Sequence, residues 1–430
     1  MVATVARPAP PQPRRGGEQG RPRTRTTLAF RAALAVIALH VVDDNVVQPQ
    51  PGAAPGDHVV STLVTLALLG LAAWGFPRIR GLYQGSLAIV LGAFGLVAGA
   101  EGWHYGRNGG PTGDDFTSLL CLPAALVLLG LGAVTLWRTR RTDGSLPRKV
   151  ARRALLAVAA YVAIPFVFAA ALGYATTHVG RAEVPPNHLG VAAEDVSFET
   201  ADGLTLHGWY VPSRNGAAVI AFPGRNGPQK PARFLARHGY GVLLFDRRGE
   251  GVSDGEPNAW GWGGEADIKA AVAYLRQRPD VEPDRIGGIG LSVGGEMMIE
   301  AAAETPQLRA VVSDGAGARS IREEADLYHG LYEKVLGTAT AAVKTAAVAL
   351  SANQSPPADL EDLAARVRQP LLLIAAPDSG HGEELNRDYH AAAPSSTLWE
   401  VPEADHMGAI EERPEEYERR VVGFFEAALR

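Results

Sequence analysis

A single cysteine, Cys121, occurs in 430 residues. One thiol cannot close a disulfide within the chain, and it cannot build a zinc site on several thiolates. Charge of one sign is also missing: 41 basic against 46 acidic residues leave a formal net charge of −5. Nothing in that balance supports a nucleic-acid partner, because the arginines of the first part flank apolar runs without interleaved aromatics. Long apolar runs are scarce after residue 177, where short strands, turns and amphipathic helices alternate. What the second part lacks, the first part concentrates.

Five apolar stretches, 27–42, 59–76, 82–100, 116–137 and 154–175, mostly approach the roughly 20 residues a helix needs to cross a bilayer. The first is short and carries Arg31, which must snorkel; a cleaved signal peptide is its rival, with a poor cleavage pattern. Basic residues alternate between loops. Arg7, Arg14, Arg15, Arg21, Arg23 and Arg25 precede the first stretch, Arg78 and Arg80 follow the second, and Arg138, Arg140, Arg141, Arg148, Lys149, Arg152 and Arg153 follow the fourth. The other loops hold Asp43, Asp44 and Asp57, then Glu101, Asp114 and Asp115. This pattern predicts a multi-pass plasma-membrane protein with a cytoplasmic tail at 1–26, a transmembrane region at 27–176 and everything later outside. His40, His58 and His104 lie near the outer carboxylates and raise the possibility of a metal site; polar helix ends, with Trp103 and Tyr105 in an aromatic belt, are the simpler expectation. No metal and no organic cofactor is expected.

After a linker at 177–190, residues 191–430 read as an α/β unit. "VSFETADGLTLHGWYVPS" predicts a hairpin turning at Asp202-Gly203. "AAVIAFPGRNG", "GVLLFDRRGEGVSDG", "DRIGGIGLSVGGEMMIEAAAE", "LRAVVSDGAG", "PLLLIAAPDSG" and "STLWEVPEADHMG" each pair a strand with a Gly-containing loop. Strands alternating with helices predict a mainly parallel sheet covered on both faces, with ligands at the carboxyl ends of its strands.

Three such loops carry Ser292, Asp378 and His406, in that chain order. Gly290-Leu291-Ser292-Val293-Gly294 lies between a strand and a helix, which makes it a nucleophile elbow. Side chains at Gly290 or Gly294 would collide with neighbouring backbone, and the turn aims the Val293 N–H at a developing oxyanion. His406 is the expected base; His381 lies too close to Asp378 to leave a separate orienting acid. Asp378 is the first choice for that acid, with Glu383 in the same loop and Asp314 on the preceding strand as alternatives.

These motifs, with "DGLTLHGWYVPS", "DRRGEGVSDG" and "PEADHMGAIEERPEEYERRVVGFFEAAL", resemble the esterase and peptidase-like branch of the α/β-hydrolase superfamily. The resemblance implies a second oxyanion N–H from Arg225 in "PGRNG", where the family usually has His-Gly-x-x-Gly. It implies structural roles for Asp246, Arg248 and Gly249; Glu250 stands where the family carries histidine. An insertion at about 316–368 is expected to be a helical lid, compatible also with a helix resting on the bilayer, while a sixth crossing would part His406 from Ser292. The expected activity is hydrolysis of an acyl ester, peptide hydrolysis second, with acyl transfer on the same triad and a non-catalytic membrane sensor as rivals. A small-molecule acyl ester or peptide and the lipid bilayer are the expected partners.

Overall fold

Apolar residues packed on all sides of a helix, and apolar residues alternating along strands, divide the molecule into two kinds of layer. The computed structural model describes residues 21–49, 55–108, 113–140, 145–178 and 181–430. Residues 1–20 of the basic tail, and Arg141, lie outside them, as does the His104 side chain.

The first layer is α1 (Arg21–Val42), α2 (Val59–Gly75), α3 (Gly81–Asn108), α4 (Asp115–Thr139) and α5 (Leu146–Ala175). All five are long and apolar enough to cross a membrane. The helices outrun the apolar stretches; α5 begins at Leu146 because Arg148, Lys149, Arg152 and Arg153 are good helix formers that hydropathy overlooks. A seven-residue repeat joins α3 to α4. A side chain on Gly85, Gly92 or Gly99 would lie 2.6, 2.8 and 2.5 Å from Leu136, Leu129 and Leu122 respectively, so each leucine fills the space a glycine leaves. Close approach of this kind supplies the dispersion contact that holds helices together where no water is displaced. Phe30 and Phe76 stack at 3.8 Å to join α1 to the end of α2.

The second layer system is an eight-stranded sheet in the order β1-β2-β4-β3-β5-β6-β7-β8. Its strands are β1 (Glu194–Glu199), β2 (Thr205–Val211), β3 (Ala218–Phe222), β4 (Gly241–Phe245), β5 (Ile286–Leu291), β6 (Ala310–Asp314), β7 (Leu371–Ala375) and β8 (Ser396–Glu400). The expected hairpin is β1-β2, antiparallel with Val196 opposite Gly208; from β4 to β8 all neighbours are parallel. Every residue of β3, β4, β6 and β7 is buried, as strands covered on both faces must be. One face carries α7 (Gly264–Leu275) and α8 (Val293–Glu304), the other α14 (Pro414–Ala428) and α6 (Gln229–Arg237), with Ile268 and Met297 in one core and Phe234 and Phe425 in the other. The fold is that of an α/β-hydrolase. Order reverses at β3, which lies between β4 and β5, and this switch point opens the crevice where such sheets bind ligands.

The insertion after β6 holds α9 (Ile321–Asp326), α10 (Leu331–Ala352) and α11 (Leu360–Ala364); α12 (Asn386–Ala392) and α13 (Ala409–Glu412) follow β7 and β8. By length and composition α10 is a sixth helix able to cross a membrane. It connects β6 to β7, adjacent parallel strands of one sheet, so both its ends return to one domain. It lies parallel along α5: a side chain on Gly173 would meet Ala347 Cβ at 2.7 Å, and Tyr161 stacks on Tyr332 at 6.2 Å.

Replacing Gly92 by valine puts a side chain where Leu129 already lies. The expected cost is about 1–3 kcal/mol, as for other overpacked cores, read as a lowered midpoint for α3-α4 unfolding in detergent; an unchanged midpoint would show that the glycine-leucine repeat holds nothing together.

Candidate active site

Ser292 sits between the last residue of β5 and the first of α8 with φ 52° and ψ −124°, a left-handed conformation rare outside glycine. Three backbone bonds fix it. Its N–H donates to the Asp314 carbonyl at 2.7 Å, and its own carbonyl accepts from the N–H of Gly295 at 2.7 Å and of Glu296 at 3.2 Å. A Cβ on Gly290 would lie 2.1 Å from the Gly294 oxygen, and one on Gly294 would lie 2.9 Å from the Phe222 oxygen. Both glycines are therefore steric requirements of the turn. Val293 is the first residue of α8, where a backbone N–H has no acceptor within the helix.

The Ser292 hydroxyl is 2.8 Å from His406 Nε2, and His406 Nδ1 is 2.7 Å from Glu383 Oε1. A carboxylate accepting at Nδ1 fixes the tautomer that leaves Nε2 free to accept the serine proton. The acid expected first is thus corrected. Asp378 is exposed, because residues 376–379 turn immediately after β7, with the Ser379 N–H donating to the Ala376 carbonyl at 3.0 Å. Gly380 and Gly382, with φ of 76° and 80°, then carry the chain back and deliver Glu383 beneath the imidazole. Its carboxylate is 1% exposed and also accepts from the Ala376 N–H at 2.6 Å and the Ser379 hydroxyl at 3.2 Å. Gly380 and Gly382, on either side of His381, are the sequence signal that could have pointed to the later residue. Asp314, the other alternative, takes the Tyr417 hydroxyl at 2.7 Å and does not reach His406 in this arrangement. Burial, reinforced by the Glu383 charge, pushes the Asp314 carboxyl up to about 7. His381 stacks on His406 at 4.6 Å with its own Nδ1 on the Ser379 carbonyl.

Arg225 also differs from expectation. Its backbone N–H donates to Asp246 Oδ1 at 2.9 Å, and its guanidinium, buried with it, pairs with the same carboxylate through Nε at 2.8 Å. An N–H engaged by a carboxylate is not free to bind an oxyanion. The loop without the family's histidine is instead braced by Asp246. Arg248 is held by Asp267 at 2.7 Å and Asp202 at 3.0 Å, and a side chain on Gly249, at φ 71°, would lie 2.2 Å from the Glu256 oxygen. Glu250 pairs with Arg247 at 3.0 Å.

His40 and His58 make separate contacts. His40 Nδ1 lies 3.3 Å from the Thr117 hydroxyl, whereas His58 Nε2 lies 3.3 Å from Glu256 on the hydrolase unit. Among the described residues no group of three or more His, Cys, Asp or Glu is placed to hold a metal ion.

Fold and elbow define the class as an α/β-hydrolase. Within it, the chain belongs to the X-Pro dipeptidyl-peptidase (S15) family, whose profile matches residues 168–413. Polyketide transferase grgF from Penicillium sp is 39% identical over 134 residues, 28% of this chain and 43% of that protein. The uncharacterised protein YfhR of Escherichia coli K12 is 32% identical over 139 residues, 30% of this chain and 48% of that one. The chain thus spans less than half the length of these curated relatives. Among solved structures, the Pyrococcus furiosus esterase Pf2001 is 23% identical with a TM-score of 0.47, covering 59% of this chain and all of that one. The α/β-hydrolase GrgF from Penicillium sp. sh18 is 21% identical with a TM-score of 0.47, covering 56% and 99%.

Glu383→Gln keeps the shape and removes the charge; kcat/KM towards an ester is expected to fall about 10²–10⁴-fold, while Asp378→Asn stays within about twofold. The opposite order would restore Asp378. Because Asp314 holds its proton more tightly folded than unfolded, its contribution to stability falls as pH rises from about 4 to about 7. Asp314→Asn should flatten that part of the urea-stability profile; an unaltered slope would assign it to other groups.

Proposed function

We propose that this chain is a membrane-anchored serine hydrolase that cleaves acyl esters through Ser292, His406 and Glu383. The observation that carries this reading is the continuous array from the Ser292 hydroxyl through His406 to Glu383, at 2.8 and 2.7 Å. Ser292 Oγ attacks the acyl carbonyl as its proton passes to Nε2; Glu383 faces the imidazolium that results, and the Val293 N–H stabilises the oxyanion. Collapse of the tetrahedral species expels the alcohol, which takes the proton from His406 and leaves the acyl group on Ser292. Water, deprotonated by His406, then releases the acid and restores the serine. These steps balance without a metal or organic cofactor.

The five helices α1–α5 anchor this unit in the plasma membrane, with the N-terminus cytoplasmic and the catalytic unit outside. The alternation of basic and acidic loops supports that orientation. Peptide hydrolysis is the second reading, favoured by membership of a family described as X-Pro dipeptidyl-peptidases. Capture of a peptide's amino terminus needs an uncommitted carboxylate, and two carboxylates of this edge are committed: Glu296 to Arg319 at 3.4 Å and Glu250 to Arg247. A relative called a polyketide transferase raises acyl transfer to an acceptor other than water. An array complete in all three members argues against a purely non-catalytic sensor.

The test is a panel of short-chain aryl esters and X-Pro arylamides offered to the full chain in detergent, with products analysed with and without an added alcohol. Ester cleavage to free acid, and an acyl adduct on the peptide carrying Ser292, are expected. Preferential amide cleavage would establish the peptidase, new esters of the added alcohol would establish the transferase, and no turnover of any compound would contradict the proposal.

A further inference from the structure

The carboxyl edge of the sheet, where Ser292 lies, is also the edge that meets the membrane helices. The loop between β4 and α7 supplies one set of contacts: the Ala259 N–H donates to the Thr176 carbonyl at 2.9 Å, the Trp260 indole donates to the Thr176 hydroxyl at 2.8 Å, and Glu256 pairs with His58 at 3.3 Å. Thr176 is the residue directly after α5, so no stalk separates the two units. The same loop reaches the nucleophile, since a side chain on Gly261 would lie 2.9 Å from Val293 Cγ2.

The insertion after β6 supplies the other set. Contacts of α10 with α5 run from Gly173 to Tyr161, twelve residues, or about 18 Å along the spanning helix. Leu331, Tyr332 and Val335 at the far end of α10 are 83, 53 and 64% exposed, beside Tyr161 and Ile164 of α5, each 63% exposed. Lys334 at this end is paired with Asp326 at 3.4 Å. An exposed apolar surface continuous with a spanning helix is covered by acyl chains. Towards its other end, Lys344, Thr345 and Val348 of α10 line a small cavity with Glu296 of α8, one turn beyond Ser292. There Lys344 pairs with Glu324 and lies 4.4 Å from the Trp260 ring, and only about 20 Å³ of space remains between Trp260, Glu296, Arg319 and Val348.

We infer that the substrate is an acyl ester resident in the bilayer, a lipid of the leaflet that α10 touches, and that it reaches Ser292 laterally along α10 and α5. This rests on the hydrolase reading and on the anchoring of α5 in a membrane. The bond changes are those given above, with the lipid's alcohol part leaving and its acyl part passing to Ser292 and then to water.

The test places the full chain in phosphatidylcholine vesicles with a fluorogenic long-chain acyl glycerol either in the same vesicles or in separate, protein-free ones. The ester in the enzyme's own bilayer should turn over about tenfold faster or more, because a long-chain lipid exchanges slowly between vesicles. Val335→Asp, which sets a charge at membrane depth, should lower that turnover about tenfold while Ser292 still reacts with a fluorophosphonate. Equal turnover from both vesicle populations, cleavage confined to water-soluble esters, or an unaffected Val335→Asp would each overturn lateral access while Ser292 labelling keeps the hydrolase reading intact. Absence of labelling in the folded wild type would instead remove the reading beneath it, and the inference with it.

Discussion

The backbone conformation of Ser292 is the constraint around which the catalytic half is arranged. A non-glycine residue held at φ 52° costs on the order of 1–3 kcal/mol and survives only where its surroundings leave no alternative. Here β6 grips the serine N–H, the first turn of α8 grips its carbonyl, and two glycines clear space beside β3 and within the turn itself. The parallel order of β5 to β8 then places the loops after β7 and β8 alongside, which is how Glu383 and His406, remote in sequence, complete one hydrogen-bonded array. A strained turn, a switch point in strand order and two loops produce the site together; none of them does so alone.

Much of this was legible in residue order. Apolar strands ending in glycine-rich loops predict the sheet, and Gly290, Ser292 and Gly294 predict the elbow because their sizes are dictated by local backbone approach. His406 was legible for the same reason, as the histidine following the last strand. The acid was not, because its placement depends on loop geometry: Asp378 follows β7 directly but is turned outward, and two left-handed glycines return Glu383 to the imidazole. Arg225 failed for a different reason. Family position says which N–H occupies the loop but not what that N–H bonds, and Asp246, 21 residues later, had already claimed it.

The junction between the halves shows the same limit. Apolar length marks α10 as able to cross a membrane, yet its place between two neighbouring strands makes it a cover for the carboxyl edge. Hydropathy alone cannot tell such a cover from a helix that crosses a membrane. Nor could His58 be assigned from sequence: it contacts the hydrolase unit through Glu256, so it serves the joint between the halves and not a metal site among the loops. With Thr176 bonded to the β4 loop and Gly261 of that loop against Val293, the end of α5 and the residue after Ser292 are two contacts apart.

Fluorophosphonate labelling of membranes containing the wild type, beside Ser292→Ala, tests the central claim most directly. An activated Ser292 predicts rapid labelling of the wild type and none of the variant. Equal labelling of both, or none of either in folded protein, would contradict the account.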